Sequence, residues 1–333
     1  AACLAALYWG WAGSPARHKR PPGDLRSSQA QLRMFFWIGL CLELIGFLGL
    51  WKLGGLVGGV RRLYFEAAGY SLEWRGEPVI YSFFANYLVP GGVLVALSGL
   101  RLRSRGRLLC AVPALAFELA NVLLVARRTP LVVSLLTIGC LLYWTRGWLP
   151  PRWIVMSVAA VIAMALVALP SFRTAGGVFS GRPILETAHG GFREVLVSGG
   201  PEFRDACFLM QITEEEGAFQ YGLGFYNSWV RYFVPRRIVG NEGKEKLLID
   251  IPDAGHVGPT ARAVPNRYGW QIDPSIGPTG PATAFQQFWY LGCVCFYVLG
   301  KWLKAHWVRA ATGDGLSQAI YAVSVSHVAN SLV

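Results

Sequence analysis

Apolar residues in this chain gather into blocks near 34–57, 79–100, 108–126, 131–148, 153–170 and 283–300, with shorter ones at 1–13 and 317–333. A hydrocarbon core roughly 30 Å thick takes about 20 helical residues to cross, so each internal block has the length of a span. A backbone in lipid must satisfy its own hydrogen bonds, which makes such segments helical. The expected fold is all-α: a polytopic integral membrane protein of eight transmembrane helices with one large external loop. The composition agrees, with 53% apolar and 15% charged residues and a mean hydropathy of +0.39. That balance excludes a disordered chain and an ordinary water-soluble enzyme.

The chain starts at Ala1 inside an apolar stretch, has no methionine before Met34 and stops at Val333 inside another. It therefore reads as part of a longer protein, with residues 1–13 the tail of a clipped span and not a signal peptide. The domain reading is 1–170 for helices one to six, 171–282 for the loop and 283–333 for helices seven and eight.

The polar connections alternate in charge. Segments 14–33, 101–107, 145–152 and 301–316 hold 14 basic residues against Asp24 and Asp314, and the positive-inside rule places them in the cytoplasm. Segments 61–78, 127–130 and 171–282 together come to +1, and face outside. The formal charge of +12 is thus a topology signal and an attraction to anionic headgroups, which excludes a nucleic-acid partner. The external segment 171–282 is 112 residues long, far more than a passive connection needs, and long loops carry function. Within it, Pro201–Gly217 can be helical and Phe225–Val234 reads as a short aromatic helix at the outer interface, stopped by Pro235. From Ile238 to Pro281 the glycine and proline content predicts irregular backbone.

All seven cysteines except Cys207 lie in apolar blocks, where a thiol packs as a small hydrophobe, so no disulfide framework is expected. The five histidines show no zinc-ligand spacing, and the chain has no His-Glu-x-x-His, Gly-x-Ser-x-Gly or Walker A pattern. Metalloprotease, serine hydrolase and nucleotide-driven pump lose support, and no metal or cofactor is expected. Glu43 and Glu118 fall inside the second and fourth spans, where a carboxylate is costly and faces a partner or a cavity. Structural polar contact and proton relay are both open readings of that pair.

Two external cation groups stand out. Arg127 and Arg128 sit at an outer turn where few basic residues are expected. They either snorkel to outer-leaflet headgroups or form a clamp for phosphate, which guanidinium forks bind bidentately. Arg236 and Arg237 follow the aromatic helix, with Lys244 and Lys246 beyond. These are either a solvated charge run or a site for a lipid-linked anion.

Taken in order, Arg127-Arg128-Thr129-Pro130, Pro201-Glu202-Phe203-Arg204-Asp205, Tyr221-Gly222 through Pro235-Arg236-Arg237, and Gly277-Pro278-Thr279-Gly280 before Phe288 and Gly292 resemble the Wzy-type O-antigen and oligosaccharide-repeat-unit polymerases of bacteria. The likeness covers roughly residues 120–292, in short motifs. It implies a GT-C-like membrane glycosyltransferase at the outer face of the bacterial inner membrane. The donor and acceptor would be polyprenyl-diphosphate-linked oligosaccharides, specifically undecaprenyl-diphosphate repeat units, within the lipid bilayer. A chain-length regulator belongs among the partners so implied.

That reaction needs cations at the diphosphate leaving group and a base or good positioning for the attacking hydroxyl. The resemblance assigns the catalytic cations to Arg127, Arg128 and Arg236. Glu202 and His256 are candidate catalytic bases. Arg204, Arg237, Lys244 and Asp253 are candidate substrate-binding residues, with Asp253 also open as a base. Two other activities share this chemistry: an O-antigen ligase-like transferase that delivers glycan to a different acceptor, and a transporter or flippase of the lipid-linked oligosaccharide.

Overall fold

The computed structural model describes residues 2–13, 28–57, 77–125, 128–147, 201–234, 236–249, 264–265, 267–270 and 279–332, with short pieces at 151–154, 156–157, 160, 189–190 and 193. Every regular element among them is helical. In order these are α1 (Ala2–Ala12), α2 (Gln29–Val57), α3 (Glu77–Ala85), α4 (Leu88–Arg101), α5 (Arg105–Val125), α6 (Arg128–Arg146), α7 (Pro201–Glu216), α8 (Leu223–Phe233), α9 (Arg236–Leu247), α10 (Gly280–Phe288), α11 (Gly292–Thr312) and α12 (Gly315–Leu332). Two stretches, Gln29–Leu56 and Ile80–Arg101, are long and apolar enough to cross a membrane. Ala2–Ala12 and Leu131–Arg146 are shorter apolar helices. The expected span at 153–170 lies almost wholly outside the described residues.

The helices fall into two compact units. One holds residues 14–194 and 302–330, hence α2 to α6, the last part of α11 and nearly all of α12. In it α2 lies against α3 and α4 because glycines let the backbones approach. A Cβ on Gly39 would meet the carbonyl oxygen of Gly91 at 2.8 Å, and one on Gly91 would meet that of Gly39 at the same distance. Small residues at such crossings replace side-chain bulk with dispersion contact between main chains. Leu88, Val95 and Leu97 of α4 are fully buried in the core that results. The hydroxyl of Ser98 donates to the Leu32 carbonyl at 2.7 Å and accepts from Arg107 Nη1 at 3.2 Å. A polar seam joins α6 and α12 at Thr137 and Ser326, 3.2 Å apart, and Arg101 Nη2 donates to Gln318 Oε1 at 2.7 Å. Trp307 stacks on Tyr143 at 5.7 Å, and Trp144 meets Tyr321 edge-on at 5.4 Å.

The other unit holds residues 1–13, 195–301 and 331–333, hence α1, α7 to α10 and the start of α11. Glycine again permits a tight crossing: the space a Cβ on Gly10 would need is occupied by the Tyr297 carbonyl, and that for Gly300 by the Leu7 carbonyl. Cys3 and Cys293 lie with their sulfurs 3.5 Å apart on this seam.

Three boundaries differ from the sequence reading. The stretch after Ile238 is not irregular at first: α9 continues to Leu247, kinked at Gly240 (φ 75°), because Glu242, Lys244, Glu245 and Lys246 favour a helix once the glycine has absorbed the turn. The block 79–100 breaks at Asn86 and Tyr87, and Pro90 stands in the first turn of α4, where a missing N–H costs nothing. The block 283–300 is likewise interrupted as a single helix. α10 starts with Thr279 as its cap, accepting from the Ala282 amide, and the chain turns through a 3₁₀ segment at Trp289–Leu291 before α11 begins at Gly292. Trp289 takes φ 53° there. α11 then runs on to Thr312, through basic residues expected to lie in a loop.

Candidate functional site

One face of α7 presents Arg204, Asp205, Phe208, Gln211 and Glu215, at the three- and four-residue spacings that align side chains on a helix. The short segment Arg267–Trp270 supplies the groups that meet them. Gly269, at φ 64°, lets that segment turn so that Tyr268 and Trp270 both come to α7.

At one end, Trp270 Nε1 donates to Asp205 Oδ1 at 2.6 Å, and the guanidinium carbon of Arg204 lies 4.4 Å from the centre of the Trp270 ring. A guanidinium on an indole face keeps its in-plane N–H groups for an anion while the ring holds its orientation. Asp205 is buried, with 3% of its surface exposed, so its carboxylate is set by the fold and not by solvent. In the middle, Phe208 stacks on Tyr268 with ring centres 4.9 Å apart.

At the other end, Glu215 is the acceptor for three donors. Gln211 Nε2 reaches Oε1 at 3.0 Å, the Tyr268 hydroxyl reaches the same oxygen at 3.1 Å, and Arg267 Nη1 reaches Oε2 at 2.7 Å. The Gln211 bond, then the Tyr268 bond, with Arg267 adding its charge, hold the Glu215 carboxyl below the usual carboxylate range. Tyr268 is pushed above the usual phenol value, by desolvation first and then by its bond to Glu215. The Arg267–Glu215 pair is solvent-accessible on both sides, so its role is to orient Arg267–Trp270 more than to add stability.

A second set of polar contacts fixes α8. Gln287 Nε2 donates to Gln220 Oε1 at 2.5 Å, and Gln287 Oε1 accepts from the Gly224 amide at 3.1 Å. Asn227 clamps the chain after α9, donating to the Ile249 carbonyl at 2.7 Å and accepting from its amide at 3.0 Å. With Asn227 and Val230 buried, α8 leaves Phe225, Tyr226 and Trp229 exposed. Such a helix suits the level of lipid headgroups, where aromatic side chains are favoured.

Of the residues singled out by sequence, Arg204 enters the α7 cluster as described. Lys244 is buried, and its ammonium donates to the Val234 carbonyl at 2.8 Å, tying α9 to the end of α8. Arg128 stands at the first position of α6, Arg236 and Arg237 at the first two of α9, and Glu202 at the second of α7. Arg127, Asp253 and His256 lie outside the described residues. Sequence reasoning passed over Tyr268 and Trp270. Their signal was an aromatic-Gly-aromatic triplet inside a stretch read as irregular, where bulky rings without helical or strand periodicity have no folding role of their own. Among the described residues, no three His, Cys, Asp or Glu side chains gather as a metal site.

No protein-family model, curated protein or solved structure matches this chain.

Proposed function

We propose that this protein is a multi-pass membrane glycosyltransferase, a polysaccharide polymerase of the O-antigen type, with residues 171–282 outside the inner membrane. Glycan passes from a polyprenyl-diphosphate donor to a hydroxyl of the next lipid-linked repeat unit. The observation that carries the reading is the stacking of Arg204 on Trp270 beside Asp205. An aromatic face and a guanidinium held on it, with the buried Asp205 fixing the indole edge, are groups that a sugar bearing a phosphate engages through apolar ring contact and charge-assisted bonds. The aromatic face of α8 and the arginines at the start of α6 and α9 support it, since helix N-termini and guanidinium groups both favour anions.

In the proposed step the acceptor hydroxyl attacks the anomeric carbon and loses its proton to a carboxylate or imidazole base. The bond to the diphosphate oxygen breaks, with its electron pair leaving on the lipid diphosphate. Arginine cations stabilise that developing charge. The test is a glycan ladder from cells in which this protein alone makes the polymer, with lipid-linked intermediates followed in parallel. Arg127→Ala, Arg236→Ala or Arg204→Ala is expected to leave the protein in the membrane and abolish long chains, with single repeat units still reaching their final acceptor. Normal ladders in all three variants sink the reading. Full-length chains stranded on the carrier mean a ligase, and repeat units trapped at the cytoplasmic face mean a flippase.

A further inference from the structure

Between α4, α5 and α6 lies a cavity of about 290 Å³, which the proposed reaction does not use. Its walls are aliphatic, with Val93, Ala96, Ala111, Val133 and Leu141 among them, and among the described residues Glu118 is the one ionisable side chain that lines it. A second carboxylate stands close behind. Glu43 of α2 is only 3% exposed, and its Oε1 is buried with no hydrogen-bond partner among the described residues. A Cβ placed on the wall residue Gly92 would lie 3.4 Å from that oxygen and 2.6 Å from the Cβ of Ala114, one helical turn before Glu118. Gly92, having no side chain, is therefore the wall residue beside Glu43. Neither carboxylate is ion-paired among the described residues.

A carboxylate shut away from water is costly unless it takes up a proton or a cation meets it with good geometry. The walls cannot hold a hydrated metal ion, which needs six or so oxygen ligands. The polar lining beyond Glu118 is Ser134 and Thr137, and Thr137 is already bonded to Ser326. An occupant that brings its own cation and its own apolar surface satisfies both the carboxylate and the walls. The volume is at the small end of ligand pockets, which admits one short chain and not a two-chain phospholipid. We propose that this cavity binds a single-chain amphiphile with an ammonium head, its hydrocarbon against the aliphatic walls and its ammonium on Glu118, with Glu43 adding negative charge through the Gly92 wall.

The test is calorimetric titration of the full chain, in phosphatidylcholine nanodiscs, with octylamine, octanol and octanoate, empty nanodiscs being subtracted. Octylamine should bind at least about tenfold more tightly than octanol, the ratio a charge-assisted bond supplies, and octanoate should not bind. Glu118→Gln should bring octylamine down to the octanol value. Ala96→Leu, which adds bulk to the aliphatic wall and leaves both carboxylates in the chain, should weaken octylamine and octanol alike. Equal affinity for amine and alcohol, an amine preference that survives Glu118→Gln, or octylamine binding untouched by Ala96→Leu each overturns the proposal. Glycan assembly enters none of these measurements, so the result is independent of the proposed polymerase activity.

Discussion

The indole N–H of Trp270 donates to Asp205 across 65 residues of sequence, at 2.6 Å, while the face of the same ring lies under the Arg204 guanidinium at 4.4 Å. One side chain thus orients an acid and a base that are neighbours on α7, by two different interactions. A hydrogen bond uses the edge of the ring and a cation–π contact uses its face, so the two can be removed separately.

Trp270→Phe keeps a face for Arg204 and removes the donor to Asp205. The loss of that bond to a buried carboxylate should cost about 1–3 kcal/mol, read as a lowered melting temperature of the purified protein. Trp270→Ala should cost more. An unchanged melting temperature in Trp270→Phe means that the indole bond contributes nothing.

Arg204→Lys separates charge from shape. Lysine keeps the positive charge but has no planar fork and stacks poorly, so the proposed glycan transfer should fall at least about tenfold, close to the loss in Arg204→Ala. Full activity in Arg204→Lys would show that charge alone suffices. The measurement is chain extension in membranes supplied with lipid-linked repeat units.

The Glu215 cluster makes a pH signature. Because the folded protein holds this carboxyl below its usual range, the stability it adds is fully present above the unfolded value of about 4.3 and is lost as pH falls through the lower folded value. Unfolding curves of wild type and Glu215→Gln should differ near neutral pH and converge as the medium is acidified. Parallel curves at every pH contradict the assignment.

Gly224→Ala should destabilise α8, since the added methyl would fall on the Gln220 and Gln287 side-chain amides that bond each other there. Forcing them apart should cost about 1–3 kcal/mol, as overpacking in a filled site does. A midpoint in denaturant equal to that of wild type means that the pair can shift aside freely.

Asn227→Ala should leave α8 helical but release the chain after α9, because both bonds to Ile249 come from one side-chain amide. Hydrogen exchange at the Ile249 amide should accelerate by about tenfold or more, matching the loss of a bond worth about 1 kcal/mol or more. Unchanged protection at that amide excludes the clamp.

Helical character was legible where long apolar runs mark it, as in α2, α5 and α6, whereas the Thr279 cap and Pro281 that open α10 sit at the end of a stretch read as irregular. Where helices stop was less legible. The break at Asn86 and Tyr87 and the turn at Trp289–Leu291 fall inside apolar blocks, which give no local sign of interruption. α9 extends past Gly240 because a glycine in mid-sequence can be a stop or merely a kink, and the Lys244 bond to Val234 decides between them.

The α7 cluster shows the same division. Arg204 was named from sequence as a candidate substrate-binding residue through the resemblance, whereas Tyr268 and Trp270 had no periodicity to mark them. Glu43 and Glu118 were visible as carboxylates in apolar blocks, but the cavity wall at Gly92 was not. Sequence alone determined that the long apolar segments are helical and how charge is distributed along the chain, because run length and loop composition act over a few residues. Only the tertiary structure decided which rings meet which cations and where a carboxylate faces a cavity. Those depend on close approaches between residues far apart in the chain, such as Gly39 to Gly91, that no local pattern encodes.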